Sequence, residues 1–313
     1  MIGLFRKCPH ISFVVVAFNM ARELPRTLMS LTREYQQKCT GIDYEVLVVD
    51  NGSTPPFGEK RVNAYGSYFR YIYLNDAPPS PAYALNYGVE HSRGKIVCSM
   101  IDGARIASPG IVYLAAAAFR AFNTPTVSVA GWHLGPDFQV RSVTEGYDQS
   151  AEDSLLKQIG FPSHGYRLFD IAVFAGSCRE GWFLPMGESN AIFIRKDAYI
   201  ELGGYDERFD LPGGGLLNPD FFRRAVLRET GENIMLLGEG TFHQVHGGVA
   251  TNKSEIDLQV SLAKWNDQYL AIRGEKFESP QKPFMYFGGV PRSTLSSLEL
   301  SATNAVRSAS HRP

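Results

Sequence analysis

The chain predicts an α/β fold in which a mostly parallel central sheet is flanked by helices. Three observations carry that prediction. Apolar, β-rich runs of strand length recur through the first half, helix-period stretches lie between them, and the runs end in Asp, Asn or Gly. In such a sheet the ligand crevice lies beyond the carboxyl ends of the strands, so Asn19, Asp50, Asn51 and Asp102 are candidates for one site.

The elements follow in order. Residues 11–18 read as a buried strand, and Leu24, Leu28 and Leu31 place 22–35 on one face of a helix. A second strand spans 44–50 and ends at Asn51 and Gly52; a third spans 69–74. Residues 82–91 read as a helix, and 95–101 as a strand stopping at Asp102 and Gly103. The next helix has Ser108 as its expected N-cap, Pro109 in its first turn and an alanine run over 115–118. The second half is less regular. Residues 131–188 are rich in aromatics and glycine, with a short helix near 152–159. A strand over 191–195, a short helix over 196–202, a glycine-rich loop over 203–217, a helix over 218–228, a strand over 233–237 and a helix over 254–273 follow. The Ser-, Ala- and Arg-rich end, 292–313, has little to bury and is expected to be a disordered tail. One domain is expected over 1–291, made of two halves (11–122 and 123–250) and a helical extension (251–291).

Composition narrows the function. With 313 residues, 44% of them hydrophobic, the chain can bury a substantial core. Thirty-one Lys and Arg against 32 Asp and Glu leave a formal charge of −1, which gives no bulk attraction to nucleic acid or anionic lipid. Cys8, Cys39, Cys98 and Cys178 are scattered and read as reduced thiols. No run is long and apolar enough for a transmembrane segment, so a soluble cytoplasmic protein is expected. A dinucleotide-binding Rossmann domain needs a glycine-rich turn after the first strand; residues 19–23 read Asn-Met-Ala-Arg-Glu and contain none.

What the sequence does carry is a series of segments in a definite order: VVVAFNMARELPRTLMSL from Val14, EVLVVDNGS ending at Ser53, Asn86 and Gly88, the stretch from Gly94 to Pro109, and GGYDERF from Gly203 to Phe209. Together they resemble family 2 glycosyltransferases, across roughly 11–248. The resemblance implies a GT-A type, Rossmann-like nucleotide-diphospho-sugar transferase fold. It implies transfer of a sugar from a nucleotide-diphosphate donor to a hydroxyl on a glycan, lipid-linked or other acceptor, with inversion. Asp50 is then the expected reader of the base, since a carboxylate at a strand end can accept from a base N–H, with help from Ala17, Asn19 and Asn51. Asn86 joins the expected donor site.

Two positions depart from the family pattern. Its Asp-x-Asp motif is represented here by Asp102, Gly103 and Ala104, followed by Arg105. Loss of one acid weakens a hard-cation site. Either Asp102 holds Mn²⁺ or Mg²⁺ with a histidine, or Arg105 supplies the positive charge for the departing diphosphate. Of His243 and His246, His246 is the expected ligand. The family's usual base falls on Asn218, which takes no proton near neutral pH, so Asp220 is the expected base, with Asp210 a weaker substitute. Glu188, Ser189 and Asn190 are expected to border the reacting sugars, with Trp182 stacking on a pyranose ring. Two rivals stand beside this reading: a degenerate nucleotide-sugar or glycan-binding protein, and a nucleotidyltransferase, which would need a basic, glycine-rich loop at 19–23.

Overall fold

The computed structural model describes residues 10–247 and 255–310. Cys8, Gly248, Ser254 and 311–313 lie outside them. In chain order the elements are β1 (Ile11–Ala17), α1 (Leu24–Ser30), β2 (Tyr44–Asp50), α2 (Glu59–Asn63), β3 (Phe69–Tyr73), α3 (Ala82–His91), β4 (Ile96–Met100) and β5 (Arg105–Ala107). Then come α4 (Ile111–Ala121), β6 (Thr126–Leu134), α5 (Gln139–Thr144), α6 (Gln149–Gln158), β7 (Ala172–Phe174), β8 (Ile192–Arg195) and α7 (Lys196–Glu201). The chain continues with α8 (Leu217–Val226), β9 (Asn233–His243), α9 (Glu255–Arg273), β10 (Met285–Gly288) and α10 (Leu295–Ser310).

Among the described residues the strands form one sheet in the order β10-β9-β6-β8-β4-β1-β2-β3, with β5 on β9 and β7 on β6. β1 pairs in parallel with both β2 and β4, and β6 with β9, while β8 runs antiparallel between β4 and β6. Every residue of β1 is buried because it is central and covered on both faces. Its side chains divide by the strand's period of two: Phe13 and Val15 enter one core, Val14 and Val16 the other. α3 lies close on the sheet because residue 88 is glycine; a Cβ there would fall 2.4 Å from Val14 Cγ1.

Three elements differ from expectation. α1 ends at Ser30 because Ser30 and Thr32 turn their hydroxyls onto the carbonyls of Thr27 and Met29, which diverts the chain from a longer helix. Ser108 does not cap α4; it donates to Glu239 instead. The expected disordered tail is a helix through Ser310, packed by a stripe of serines that hydropathy does not register. Buried Ser301 accepts the Trp182 N–H at 3.0 Å, and the missing side chain of Gly181 allows the close approach.

Glu239 on β9 clamps the start of α4. It accepts from Ser108, from the Gly110 N–H at 3.0 Å and from the Tyr166 hydroxyl at 2.7 Å. Burial pushes its carboxyl from 4.5 up to about 7, against these donors. The folded value is the raised one, so the group's contribution to stability is complete below about pH 4.5 and is lost as pH rises through 7. Glu239→Gln should therefore flatten the decline of unfolding free energy between pH 5 and 8, by at most about 1.4 kcal/mol per pH unit. Equal slopes in denaturant titrations of the two proteins would refute this.

Candidate active site

The sheet topology assembles a polar cluster at one edge. β5 pairs antiparallel with β9, placing Arg105 opposite His243, and β6 pairs with β9, placing His133 opposite His243. Asp102, in the turn between β4 and β5, is thereby carried to the end of β9. His243 Nε2 lies 2.8 Å from Asp102 Oδ2; His246 Nε2 lies 3.5 Å from the same oxygen and 3.0 Å from His243 Nε2. The Asp102 Oδ1 atom accepts the Ala104 N–H at 2.9 Å.

The hydrogen bonds fix the protons. Gln139 Nε2 donates to the Gln244 carbonyl, which turns Gln139 Oε1 toward His243 Nδ1. His243 therefore carries its hydrogen on Nδ1 and presents a lone pair at Nε2. Burial, with Arg105, pushes this imidazole down to about 4, so it is neutral near pH 7. Burial would raise Asp102, but His246 and His243 outweigh it and hold the carboxyl well below the usual carboxylate range. A carboxylate and two ring nitrogens thus converge, with ligand atoms within 4.8 Å of one another. Neighbouring lone pairs repel unless a proton or cation lies among them. The donor set suits Mn²⁺ or another borderline divalent ion, and the residues fit such a group.

Beside the cluster, Arg105 is nearly buried; its Nε is 3.8 Å from Asp102 Oδ2, and neither Nε nor Nη1 has a hydrogen-bond partner. Asn190 Nδ2 is also buried and unpartnered. A Cβ on Gly131 would lie 3.3 Å from Asn190 Nδ2 and 3.9 Å from Arg105 Nη1, so the glycine keeps space between these donors. Asn218 Nδ2 donates to Glu188 Oε2 at 2.7 Å and approaches Asn190 Oδ1 at 3.4 Å. Glu188 is thus linked to Asn190 through Asn218, and Asn190 and Arg105 both lie near Gly131.

At the ends of β1 and β2, Ala17 pairs with Asp50, and the Ala17 carbonyl accepts the Asn51 N–H at 2.8 Å. Asn19 donates its N–H to Ser53 and accepts from Thr54 N–H, clamping this turn. Asp50 is given a different task from the one expected. It is fully buried, and its oxygens accept from Ser53 N–H, Phe57 N–H and the Tyr71 hydroxyl at 2.7–3.0 Å. The open acceptor here is Asn51 Oδ1, left unpartnered because Asn51 Nδ2 is committed to the Pro78 carbonyl.

The profile of the family described as "Glycosyl transferase family 2" matches residues 12–175, more than half of the chain. The chain belongs to glycosyl transferase family 2. Among solved structures it resembles S. aureus TarS 1-349 (13% identity, TM-score 0.47, covering 83% of this chain and 65% of that one). It also resembles S. aureus TarS (14%, 0.51, 84% and 44%). A third is the mannosyltransferase PcManGT from Pyrobaculum calidifontis, solved with GDP-Man and Mn²⁺ (14%, 0.51, 97% and 76%). The chain spans less than two thirds of either TarS structure. At such identities the likeness is one of fold, the GT-A glycosyltransferase fold. No curated protein matches the chain at a significant level.

Within this family 2 protein, four expected site residues have structural duties instead. Asp220 does not face the cluster's neighbour Asn218, two residues earlier on α8. Its carboxylate is gripped by Arg224 Nε at 2.8 Å and by Arg273 Nε and Nη2 at 2.6 and 2.7 Å, which makes it a clamp between α8 and the end of α9. Asn86 is consumed by Tyr199, Tyr205 and Glu207, fastening α3 to the 203–209 loop. Trp182 is buried edge-on to Phe174 and Trp132, so neither face is open to a sugar. Ser189 is buried between strands, bonded to Val129 and Ala191. From sequence alone His246 is preferred to His243, and neither Gln139 nor His133 is singled out. His243 alone had a local signal, at the end of the last long strand three residues before His246.

Removing the Asp220 charge strips two guanidiniums of their common partner. Asp220→Asn should cost roughly 1–3 kcal/mol of stability, the range for unsatisfied buried donors, while leaving donor binding unchanged. An unaltered urea midpoint combined with abolished transfer would return Asp220 to the role of base.

Proposed function

We propose that this protein transfers a sugar from a nucleoside-diphosphate donor to a hydroxyl acceptor in glycan or polysaccharide assembly, inverting the anomeric carbon by direct displacement. The observation that carries the reading is the convergence of Asp102, His243 and His246 beside the unpartnered donors of Arg105. A diphosphate brings the anionic oxygens that such a cluster lacks.

The residues divide the work. Asn51 Oδ1 accepts from a base N–H, while Asp50 and Asn19 hold the loop that presents it. Asp102, His243 and His246 hold a divalent cation, Mn²⁺ or Mg²⁺, which when bound supplies positive charge for the diphosphate oxygens. Arg105 turns its unpartnered N–H groups to the leaving nucleoside diphosphate, where negative charge develops. Asn190 Nδ2 donates to a sugar hydroxyl. A donor-binding protein without turnover is the second reading, favoured by Ala104 and Asn218 standing where acids are usual.

Thermal shift with a panel of UDP- and GDP-linked sugars, with Mn²⁺ and with EDTA, tests this. Wild type should be stabilised by at least one donor, the shift should shrink under EDTA, and His243→Ala should lose the Mn²⁺-dependent part. Stabilisation untouched by EDTA removes the metal from the reading, and no shift with any sugar nucleotide removes the donor site altogether. Transfer to an added acceptor separates the enzyme from the silent binder.

A further inference from the structure

We infer that Glu188 is the general base of the transfer reaction and that Asn218 is its positioning residue; this rests on the function proposed above. When a hydroxyl attacks the anomeric carbon, its oxygen forms the new C–O bond while its O–H bond breaks, and the proton must reach a nearby carboxylate. The bond from the anomeric carbon to the diphosphate breaks in the same step, and its electron pair leaves with the nucleoside diphosphate.

The other acids around the site are committed. Asp102 faces two histidines, Asp50 is sealed inside its loop, Asp220 is held by two guanidiniums, and Glu23 pairs with Arg22 and accepts from Gln149. Glu188 differs in three ways. It is half-buried, so part of it opens outward. Its oxygens accept only from neutral donors, the Ser177 hydroxyl at 3.1 Å and the Asn218 amide at 2.7 Å, with no cationic partner among the described residues. Neutral donors orient a carboxylate without the neutralisation that a guanidinium imposes. Finally, it joins Asn190 and Arg105 through Asn218 and the gap at Gly131.

Asn218 is itself locked. The Tyr205 hydroxyl donates to Asn218 Oδ1 at 3.2 Å, so Nδ2 must face Glu188. The first turn of α8 thus supplies an amide that aims a carboxylate belonging to the approach to β8.

The test uses the full chain with the donor identified by thermal shift. Glu188→Gln should keep the wild-type donor-induced shift yet lose transfer by ~100-fold or more, the usual worth of a general base. The acid limb of the kcat/KM profile should disappear with it. Glu188→Asp should retain intermediate activity, and formate should restore part of the rate of Glu188→Ala. Should Glu188→Gln transfer within about threefold of wild type with its pH profile intact, the base assignment is overturned, while donor binding and the glycosyltransferase reading survive. Equal losses in Glu188→Asp and Glu188→Gln, with no formate rescue, would also overturn it by assigning Glu188 to structure.

Discussion

The pairing of β5 with β9 is the constraint on which the site depends. A three-residue strand is short, yet its register puts Arg105 directly across from His243. It also folds the Asp102 turn back over the end of β9. Without that register, an acid at one strand end and a histidine more than a hundred residues later would have no reason to meet. Glu239 secures the arrangement from below, gripping Ser108 and Gly110 immediately after β5. Glu152 secures it from the side by accepting the Val245 N–H between the two histidines.

Hydrogen-bond saturation separates scaffold from site more sharply than residue type does. Asp50 and Asp220 are carboxylates at plausible positions, but each is surrounded by donors that fill its lone pairs. Such groups hold loops and helices. Among the described residues, the buried polar atoms left without a hydrogen-bond partner include Asn51 Oδ1, Arg105 Nε and Nη1, and Asn190 Nδ2. Buried polar atoms without partners cost free energy, and a ligand that supplied those partners, as in the proposed function, would recover it.

Much of this was legible in the residue order. The strand–helix alternation predicted the first half of the sheet, the positions after the strands pointed to Asn19, Asp50, Asn51 and Asp102, and the departure from the family motif pointed to Arg105. What was hidden is physical in kind. β6, with its central glycine, was submerged in a loop-like stretch, so His133 and Gly131 had no strand to sit on. α10 buries serines rather than leucines and therefore leaves no apolar stripe. Asp220 looked free because the sequence does not disclose that Arg273, fifty-three residues on, returns to it. Trp182 looked like a platform because aromatic residues near a site and aromatic residues in a core are written alike.

The replacement of the usual second acid by Ala104 has a consistent electrostatic reading. Ala104 is wholly buried, and its carbonyl accepts the Gln244 N–H at 2.9 Å, so an acid at this position would have to be buried as well. The neighbouring Arg105 instead stands beside Asp102, its Nε 3.8 Å from Oδ2. A divalent cation held there, as proposed, would meet one carboxylate, two imidazole nitrogens and one guanidinium, and its charge would stay largely uncompensated. Two carboxylates would offset that cation before substrate arrived; here the compensation must come from the donor's own diphosphate. Under the proposed function, cation affinity would therefore depend on the presence of the nucleotide, because each would supply the charge the other lacks.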